Sequence, residues 1–356
     1  MNAGCGLEVM SEIELQIAAR CGAPAAAIIA TGTGHSAPYQ AALASTAPKL
    51  IVIDCLADLA RLGNATAWGP SLDIALRVSA SAGAGRYVSQ GSKLGADWSS
   101  GAFSRLLDAT REYPQLRVVG LHSHMLGHCS DPEAYAGAVR DIVSVASQLR
   151  DAGVTFRYID IGGGLDARFI LEQRGWHVDE FAARATAELA ALGYDFELIL
   201  EPGRFIAADS AVGLTTVMAE KENSGHRFYV IDLGSNVLIP RPAMEYPVIP
   251  LHAVGAGHAG QPPTTFEVGD RTCTPGVFTR RAVLPAGLTG QGLCVLNCGA
   301  YTTVFAELWA HALPAIYALA GGNLTKEFGR AEQERMWRLM HGFDITLAPQ
   351  EAPDAR

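Results

Sequence analysis

The sequence is poor in positive charge. It carries 27 lysines and arginines against 36 aspartates and glutamates, which gives a formal net charge of −9, and only four of the basic residues are lysines. Proteins that bind nucleic acid neutralise phosphates with clustered basic side chains. This composition therefore argues against a nucleic-acid partner.

Long uninterrupted apolar runs are also missing. The most apolar stretch, residues 304–320, contains Glu307, His311 and Pro314, so it predicts protein core and not a membrane span. The seven cysteines are odd in number and scattered, which favours free thiols in a reducing compartment. Because the opening residues also lack a signal peptide, we expect a cytoplasmic protein that acts without a membrane.

What the sequence does contain is a regular alternation of short apolar segments and helical segments between residues 6 and 210. This alternation predicts a parallel sheet covered by helices, and its length indicates a (β/α) barrel. A closed barrel needs eight such units, whereas we find seven. The predicted strands are Gly6–Met10, Ala25–Thr31, Leu50–Asp54, Asp73–Ser79, Leu116–His122, Phe156–Ile161 and Phe196–Glu201.

The pattern changes after residue 210. Short β-type segments separated by glycine and proline predict a second, all-β domain over residues 211–347, after the barrel domain of residues 1–210. The segment Thr325–Met340 has helical spacing, and residues 348–356 form a tail.

Two successive predicted strands end in polar, glycine-containing segments. The first runs directly into Gly162–Gly164, and the second continues as EPGR (Glu201–Arg204). Consecutive glycines let backbone N–H groups approach a phosphate, although a flexible turn would have the same composition. Active sites of parallel barrels lie at the carboxyl ends of the strands, so we expect these segments to belong to one.

A pair of histidines follows another strand. His122 and His124 are two residues apart, so their side chains share one face of a strand. Such a pair can bind zinc, or it can comprise one core and one surface histidine. A third interpretation is that one imidazole stacks on an aromatic cofactor.

Several short motifs follow one another along the chain: ALRV (Ala75–Val78), SKLG (Ser92–Gly95), GLHSH (Gly120–His124), IDIGGG (Ile159–Gly164), EPGR (Glu201–Arg204), Asp-x-Gly…Arg-Pro (Asp232, Gly234, Arg241, Pro242), Cys273 and GAYT (Gly299–Thr302). Together they resemble the fold type III pyridoxal-phosphate decarboxylases, the alanine-racemase-like group that includes diaminopimelate and ornithine decarboxylases. The resemblance implies a pyridoxal 5′-phosphate-binding (β/α)8-type barrel, here apparently without its first unit, and a C-terminal all-β domain. It also implies a homodimer that decarboxylates a small amino-acid substrate.

The resemblance further implies how the barrel residues hold the cofactor. His124 would stack on the pyridine ring, and Gly162, Gly163 and Gly164 would bind the phosphate through backbone N–H groups. Glu201 would pair with the ring nitrogen and keep it protonated, so that the ring can accept the electrons left by departing carbon dioxide.

Five further positions carry implied roles. Arg204 would reach the phosphate or a substrate carboxylate, and Tyr301 would donate to the phosphate. Arg241 and Tyr246 would meet a substrate carboxylate, with ordinary packing as the alternative. The implied catalytic residues are His124 and Cys273. Cys273 would cross the dimer interface and donate a proton in the partner's site.

The largest departure from the family concerns its Schiff-base lysine. In the family this lysine lies in a YAxKAN-like block on the first barrel strand, and this sequence contains no such block. The strand count and the motif search therefore agree that the first unit is missing. A start at an internal Met, a strand supplied by another chain, or a non-catalytic homologue would each explain it. The lysines of this sequence are Lys49, Lys93, Lys221 and Lys326.

A second departure concerns specificity. Cys273 is followed by Thr274–Val277, where the family has acidic residues that hold a distal ammonium. An unpaired buried cation is costly, so we hypothesise a substrate whose far end is neutral, acylated or attached to a carrier. Alternatives for the whole protein are a non-catalytic cofactor-binding homologue, a partner subunit, and a metal-dependent barrel hydrolase that uses His122 and His124.

Overall fold

The chain forms two compact units. The first comprises Met1–Asp166 and Ile170–Gly203, and the second comprises Ala167–Phe169 and Arg204–Arg356. The first unit contains the strand–helix alternation, and the second contains the β-rich segments. The computed structural model of the protein describes residues 4–67, 69–80, 93–238, 246–251 and 264–347.

The first unit is built on a parallel sheet. Its strands are β1 (Leu7–Val9), β2 (Ile28–Ala30), β3 (Leu50–Ile53), β4 (Leu72–Ser79), β5 (Ala96–Asp97), β6 (Leu116–His122), β7 (Tyr158–Asp160) and β8 (Glu197–Ile199). The order is β1-β2-β3-β4-β6-β7-β8, with β5 paired to β4. Each predicted strand is confirmed, and β5 is an addition that its two-residue length kept out of any apolar pattern.

The sheet is curled and open. The strand order begins at β1 and ends at β8, and within the described residues these two edges do not pair with each other. Neighbouring strands run parallel throughout. This arrangement confirms the predicted barrel-type fold with its incomplete set of units.

Helices connect the strands, and polar side chains cap the first turns of several of them. The Ser11 hydroxyl accepts the Glu14 N–H at 3.2 Å, and the Asp131 carboxylate accepts the Glu133 N–H at 3.0 Å, which satisfies donors that a helix leaves unpaired. The helices of this unit are α1 (Glu12–Arg20), α2 (Ala37–Thr46), α3 (Leu56–Ala65), α4 (Ala102–Ala109), α5 (Pro132–Asp151), α6 (Arg168–Gln173) and α7 (Val178–Leu189). The first two residues of α6 cluster with the second unit.

The interior of the sheet is apolar. Leu50, Val52, Ala75, Tyr158 and Ile199 form one buried cluster contributed by four strands. All four residues of β3 are buried, as expected for a parallel strand that is covered on both faces. This packing holds the strands in register and so determines which residues meet at their carboxyl ends.

The second unit contains a six-stranded sheet with the order β11-β14-β9-β10-β12-β13. Tyr229 and Phe266 stack in its core with ring centroids 4.0 Å apart, which confirms the predicted β-rich character. After the short helix α8 (Gly203–Ala207), the strands are β9 (Gly213–Asn223), β10 (His226–Ile231), β11 (Val248–Pro250), β12 (Thr264–Asp270), β13 (Val277–Leu284) and β14 (Gly292–Val295).

The C-terminal region corrects two expectations. The helix predicted for Thr325–Met340 is α9 (Arg330–His341), because the preceding residues form a hairpin of β15 (Ile316–Ala320) and β16 (Asn323–Phe328). The apolar run predicted as core includes β15, in which every residue is exposed, since a two-stranded ribbon has no second layer to cover it. No helix in the described part of the chain is long and apolar enough to cross a membrane.

The packing of α3 gives a test of the fold. A Cβ on Gly63 would lie 2.1 Å from Cδ1 of Tyr113, so we expect Gly63→Ala to lower the free energy of unfolding by about 1–3 kcal/mol. Helix propensity alone would favour alanine by about 1 kcal/mol, so the two effects have opposite signs. Urea denaturation measures the difference. Asn64→Ala, at an exposed position of the same helix, is the control, and equal stability of the two variants would contradict this packing.

Candidate active site

The site is assembled where three neighbouring parallel strands end. His122 closes β6 and lies opposite Asp160, which closes β7 and in turn lies opposite Ile199 at the end of β8. The segments that follow these strands therefore lie side by side. They carry His124, the glycine triplet and Glu201, as the motifs predicted.

The glycine triplet packs directly against the backbone of its neighbours. A Cβ on Gly163 would lie 2.1 Å from the carbonyl oxygen of Glu201, and a Cβ on Gly164 would lie 2.5 Å from the carbonyl oxygen of Leu126. Gly164 also has a φ of 98°, a conformation that other residues rarely adopt. Only glycine allows the three segments to approach this closely.

The N–H groups of Gly162 and Gly163 differ in their hydrogen bonds. The Gly162 N–H donates to Oδ1 of Asp160 at 2.9 Å, so Asp160 and not a ligand takes this donor. Nδ1 of His124 lies 3.4 Å from the Gly163 N and 3.3 Å from Oε2 of Glu201. It cannot accept from one and donate to the other at once, and the charge-assisted bond to the carboxylate is the stronger. The Gly163 N–H is therefore available to a bound anion.

Glu201 is a buried anion. Its side chain is 9% exposed, and Nε2 of His122 lies 3.6 Å from its Oε1. Burial raises the pKa of Glu201, but the neighbouring His122 and His124 outweigh this effect and hold the pKa well below its usual range. Burial likewise disfavours the charged form of His122, yet the carboxylates of Asp160 and Glu201 raise its pKa. Glu201 is therefore ionised at neutral pH and can pair with a cation.

The two histidines occupy different environments. His122 is fully buried, whereas the side chain of His124 is 36% exposed. Each faces a different oxygen of the Glu201 carboxylate. A carboxylate oxygen therefore lies beside each imidazole, and this pairing of His124 with Glu201 is compatible with the cofactor interpretation.

In the second unit, two residues predicted from separate motifs come together. The Arg204 guanidinium lies 4.6 Å from the centroid of the Tyr301 ring, within the range of a cation–π contact. The backbone explains this approach, because a Cβ on Gly299 would lie 1.9 Å from the carbonyl oxygen of Ala207. The GAYT segment therefore packs on the end of α8, and Tyr301 remains 44% exposed.

Cys273 lies exposed on the loop after β12. Asp270 organises this loop, since its Oδ1 accepts the Thr272 N–H at 3.2 Å and its Oδ2 accepts the Ser235 N–H. The thiol is accessible, as a proton donor to an external ligand must be, and its catalytic role stays a prediction.

The structure does not test the two residues predicted to bind the substrate carboxylate, Tyr246 and Arg241. Tyr246 is buried in the core of the second unit, where its ring packs edge-on against Phe278 at 6.4 Å. Arg241 lies outside the described residues. Their roles therefore stay predictions.

The structure also locates the lysines. Lys49 forms an ion pair with Glu197 and lies 5.1 Å from the centroid of the Tyr158 ring, which places it where strands begin, at the opposite edge from the glycine triplet. Lys93 is exposed and precedes β5, whereas Lys221 and Lys326 belong to the second unit. Lys49 is thus excluded from the chemistry at the carboxyl ends of the strands.

Comparison with known proteins identifies the family of the chain. The family model "Pyridoxal-dependent decarboxylase, pyridoxal binding domain" matches residues 1–208, and the chain belongs to this family. It is 31% identical over 316 residues to the diaminopimelate decarboxylase of Methanothermobacter thermautotrophicus, covering 84% of this chain and 71% of that protein. It is 27% identical over 337 residues to the Pseudomonas aeruginosa enzyme of the same name, covering 92% and 79%.

Solved structures show the same fold. Diaminopimelate decarboxylase from M. jannaschii, in co-complex with L-lysine, superposes with a TM-score of 0.79 at 20% identity, over 97% of this chain and 80% of that one. The Helicobacter pylori enzyme, also complexed with L-lysine, superposes with a TM-score of 0.77 at 23% identity, over 95% and 84%. The protein is therefore a pyridoxal 5′-phosphate-dependent carboxy-lyase by family.

The residues of the first unit fit this cofactor. Oε1 of Glu201 is a buried oxygen that finds no hydrogen-bond partner among the described residues, and an ionised carboxylate is the group that keeps a pyridine nitrogen protonated. The Gly163 N–H is available to a phosphate. His124 is partly exposed beside them, as a ring-stacking imidazole requires.

Sequence reasoning missed a second layer of charged residues beneath the site. Asp160 was seen only as part of the strand before the triplet, yet it lies between His122 and the Gly162 N–H. Arg77, opposite His122 in the sheet, contacts Asp54 at 3.4 Å. Each is a charged residue at the end of an otherwise apolar strand, and this signal could have identified them.

The close approach at Gly163 predicts a loss of cofactor binding. We expect Gly163→Ala to weaken binding of pyridoxal 5′-phosphate about tenfold or more, because the new methyl group must displace the Glu201 backbone at a cost of about 1–3 kcal/mol. Equilibrium dialysis measures the Kd. Gly203→Ala is the control, since a Cβ there meets nothing within 4 Å. Unchanged binding by a folded Gly163→Ala protein would contradict the assignment.

Proposed function

We propose that the protein decarboxylates an amino acid or amino-acid derivative whose far end carries no free ammonium. The observation that carries the decarboxylase part is the ionised Glu201 held beside the glycine triplet. An anion that stays ionised at neutral pH is what a protonated cofactor ring needs as its partner. When bound, pyridoxal 5′-phosphate supplies the electron sink for the bond to the leaving carbon dioxide.

Each residue of the site would have one task in holding the cofactor. Glu201 would keep a proton on the ring nitrogen, and Gly163 with Gly164 would bind the phosphate through backbone N–H groups. His124 would stack on the ring and, by donating Nδ1–H to Glu201, hold that carboxylate in place. Arg204 and Tyr301 are proposed for the phosphate on the basis of the family resemblance.

The loop of Cys273 supports the proposed specificity. The carboxylate nearest to Cys273 in the sequence is Asp270, which accepts hydrogen bonds from the backbone N–H groups of Ser235 and Thr272 and from the Thr272 hydroxyl. The next residue, Thr274, contributes a hydroxyl that lies 3.4 Å from that of Ser235. Residues 274–277 therefore offer no carboxylate to a distal ammonium. A substrate whose far end is acylated or otherwise neutral would not need one.

Paired substrates test this specificity. We expect kcat/KM for Nε-acetyl-lysine to exceed that for lysine at least tenfold, because one unpaired buried charge costs more than the about 1.4 kcal/mol of a tenfold effect. Carbon dioxide release measures both rates. Thr274→Asp, which adds a carboxylate next to Cys273, should move the preference toward lysine.

Three outcomes distinguish the proposed specificity, the decarboxylase assignment and the non-catalytic alternatives. Robust turnover of lysine or ornithine without turnover of acylated derivatives would overturn the specificity and keep the decarboxylase. Cofactor binding without carbon dioxide release from any amino acid would identify a non-catalytic homologue or a partner subunit. Failure to bind pyridoxal 5′-phosphate would refute the proposal as a whole.

We also propose a homodimer in which Cys273 donates a proton in the partner's site. Cys273→Ala and Glu201→Ala should each abolish activity, whereas co-refolding the two variants should recover up to about a quarter of it, because half of the molecules are then mixed dimers with one intact site. Carbon dioxide release after size-exclusion chromatography measures this recovery. No recovery from a mixed dimer would place Cys273 outside the partner's site.

A cytoplasmic location belongs to the same proposal. All seven cysteines are free thiols, and Cys5, Cys21 and Cys273 are exposed. Exposed thiols persist in a reducing compartment, which supports this location.

A further inference from the structure

A buried cluster beneath the candidate site lacks hydrogen-bond partners. Four of its atoms find none among the described residues: both ring nitrogens of His122, Oδ2 of Asp160 and Oε1 of Glu201. The side chains supply ligand atoms that all lie within 4.8 Å of one another. The remaining oxygens of both carboxylates are already bonded, to the Gly162 N–H and to His124. The cluster is therefore short of donors.

The protonation state of His122 determines how many donors the cluster has. A neutral imidazole donates from one nitrogen and can serve one carboxylate, whereas an imidazolium donates from both. We propose that His122 is a positioning residue that carries a second proton between Asp160 and Glu201, and thereby keeps the Glu201 carboxylate ionised and oriented toward the cofactor. The proposal rests on the proposed function, because it assigns the reason why Glu201 can serve the ring nitrogen.

The charged groups that interact with His122 come from several strands of the sheet. Glu8 on β1 and Asp160 on β7 favour the imidazolium, as does Glu201 after β8. Arg77 on β4 opposes it, but Arg77 is itself paired with Asp54. His124, on the same segment as His122, faces the other oxygen of Glu201.

The directions of the pKa shifts agree with the geometry. The pKa of His122 is raised and that of Glu201 is lowered, as expected for a proton that resides on the imidazole. Burial raises the pKa of Asp160 to about 6, so Asp160 competes for this proton only below neutral pH. Above that range the imidazolium neutralises one of two buried carboxylates, and its proton is lost only as pH rises through the raised pKa of His122.

Two readouts test the proposal without relying on turnover. In the protein without cofactor, ¹⁵N-histidine NMR should show one imidazole with both nitrogens protonated from pH 6 to pH 8, and this signal should be absent from His122→Gln. With ¹⁵N-labelled pyridoxal 5′-phosphate bound, the ring nitrogen should be protonated in the wild-type protein and substantially unprotonated in His122→Gln. His35→Gln, at another buried histidine in the same unit, is the folding control.

Steady-state kinetics should show a lower kcat with little change in KM, a pattern that loss of packing alone would not give. We expect His122→Gln to lower kcat about 10- to 100-fold, the usual range for an outer partner of a functional group, with KM changed less than about threefold. The acid limb of its pH profile should move to higher pH, because Asp160 and Glu201 must then share one proton. Asp160→Asn in the same background should move the limb back.

The outcomes are distinguishable from failure of the proposed function. If the wild-type protein binds no pyridoxal 5′-phosphate, the proposed function fails, and the cofactor-free NMR experiment still reports on His122. A neutral His122 at pH 7 would overturn the inference, as would a stoichiometric metal ion that disappears in His122→Gln. An unshifted ring-nitrogen signal in His122→Gln would overturn it with the cofactor assignment intact.

Discussion

The structure of the site depends on one buried carboxylate. Glu201 is almost fully shielded from water and faces His122 with one oxygen and His124 with the other. A buried carboxylate without partners would take up a proton, and it would then no longer hold a proton on a pyridine ring. The two imidazoles keep it charged, and one of them is available to the cofactor as well. The charged state of Glu201 therefore depends on three neighbouring strands that bring these side chains together.

Backbone packing at the triplet serves the same purpose. The glycines allow the segments after β6, β7 and β8 to touch without intervening side chains, so the carbonyl group of Glu201 lies directly beside Gly163. A methyl group on Gly163 would push the Glu201 backbone away from the N–H groups that are proposed to bind the phosphate. The charged groups can lie this close together only if the triplet has no side chains. Asp160 has two contacts in this region. It accepts the Gly162 N–H and so orders the turn of the triplet, and its charge acts on the buried His122.

Much of the fold was predictable, because apolar periodicity is a local property of the sequence. The barrel strands and the β-rich second half follow from it. The C-terminal hairpin was not predictable in this way: the segment 325–328 has helical spacing, but pairing with β15 outweighs local propensity. The motif residues of the site were predictable through their family resemblance. The layer of Asp54, Arg77 and Asp160 was not, since each residue looks like the polar end of an ordinary strand.

The sequence by itself determined the class of protein, because short motifs and their order can be recognised without coordinates. It also predicted the residues that would contact a cofactor. It also determined the lack of acidic residues after Cys273, and with it the hypothesis of a neutral far end. Only the tertiary structure decided that His122 is buried while His124 is accessible, and that Arg204 lies against Tyr301. The physical reason is register: strands bring together residues that are distant in the chain, and a difference of one residue would reverse the face on which each side chain lies.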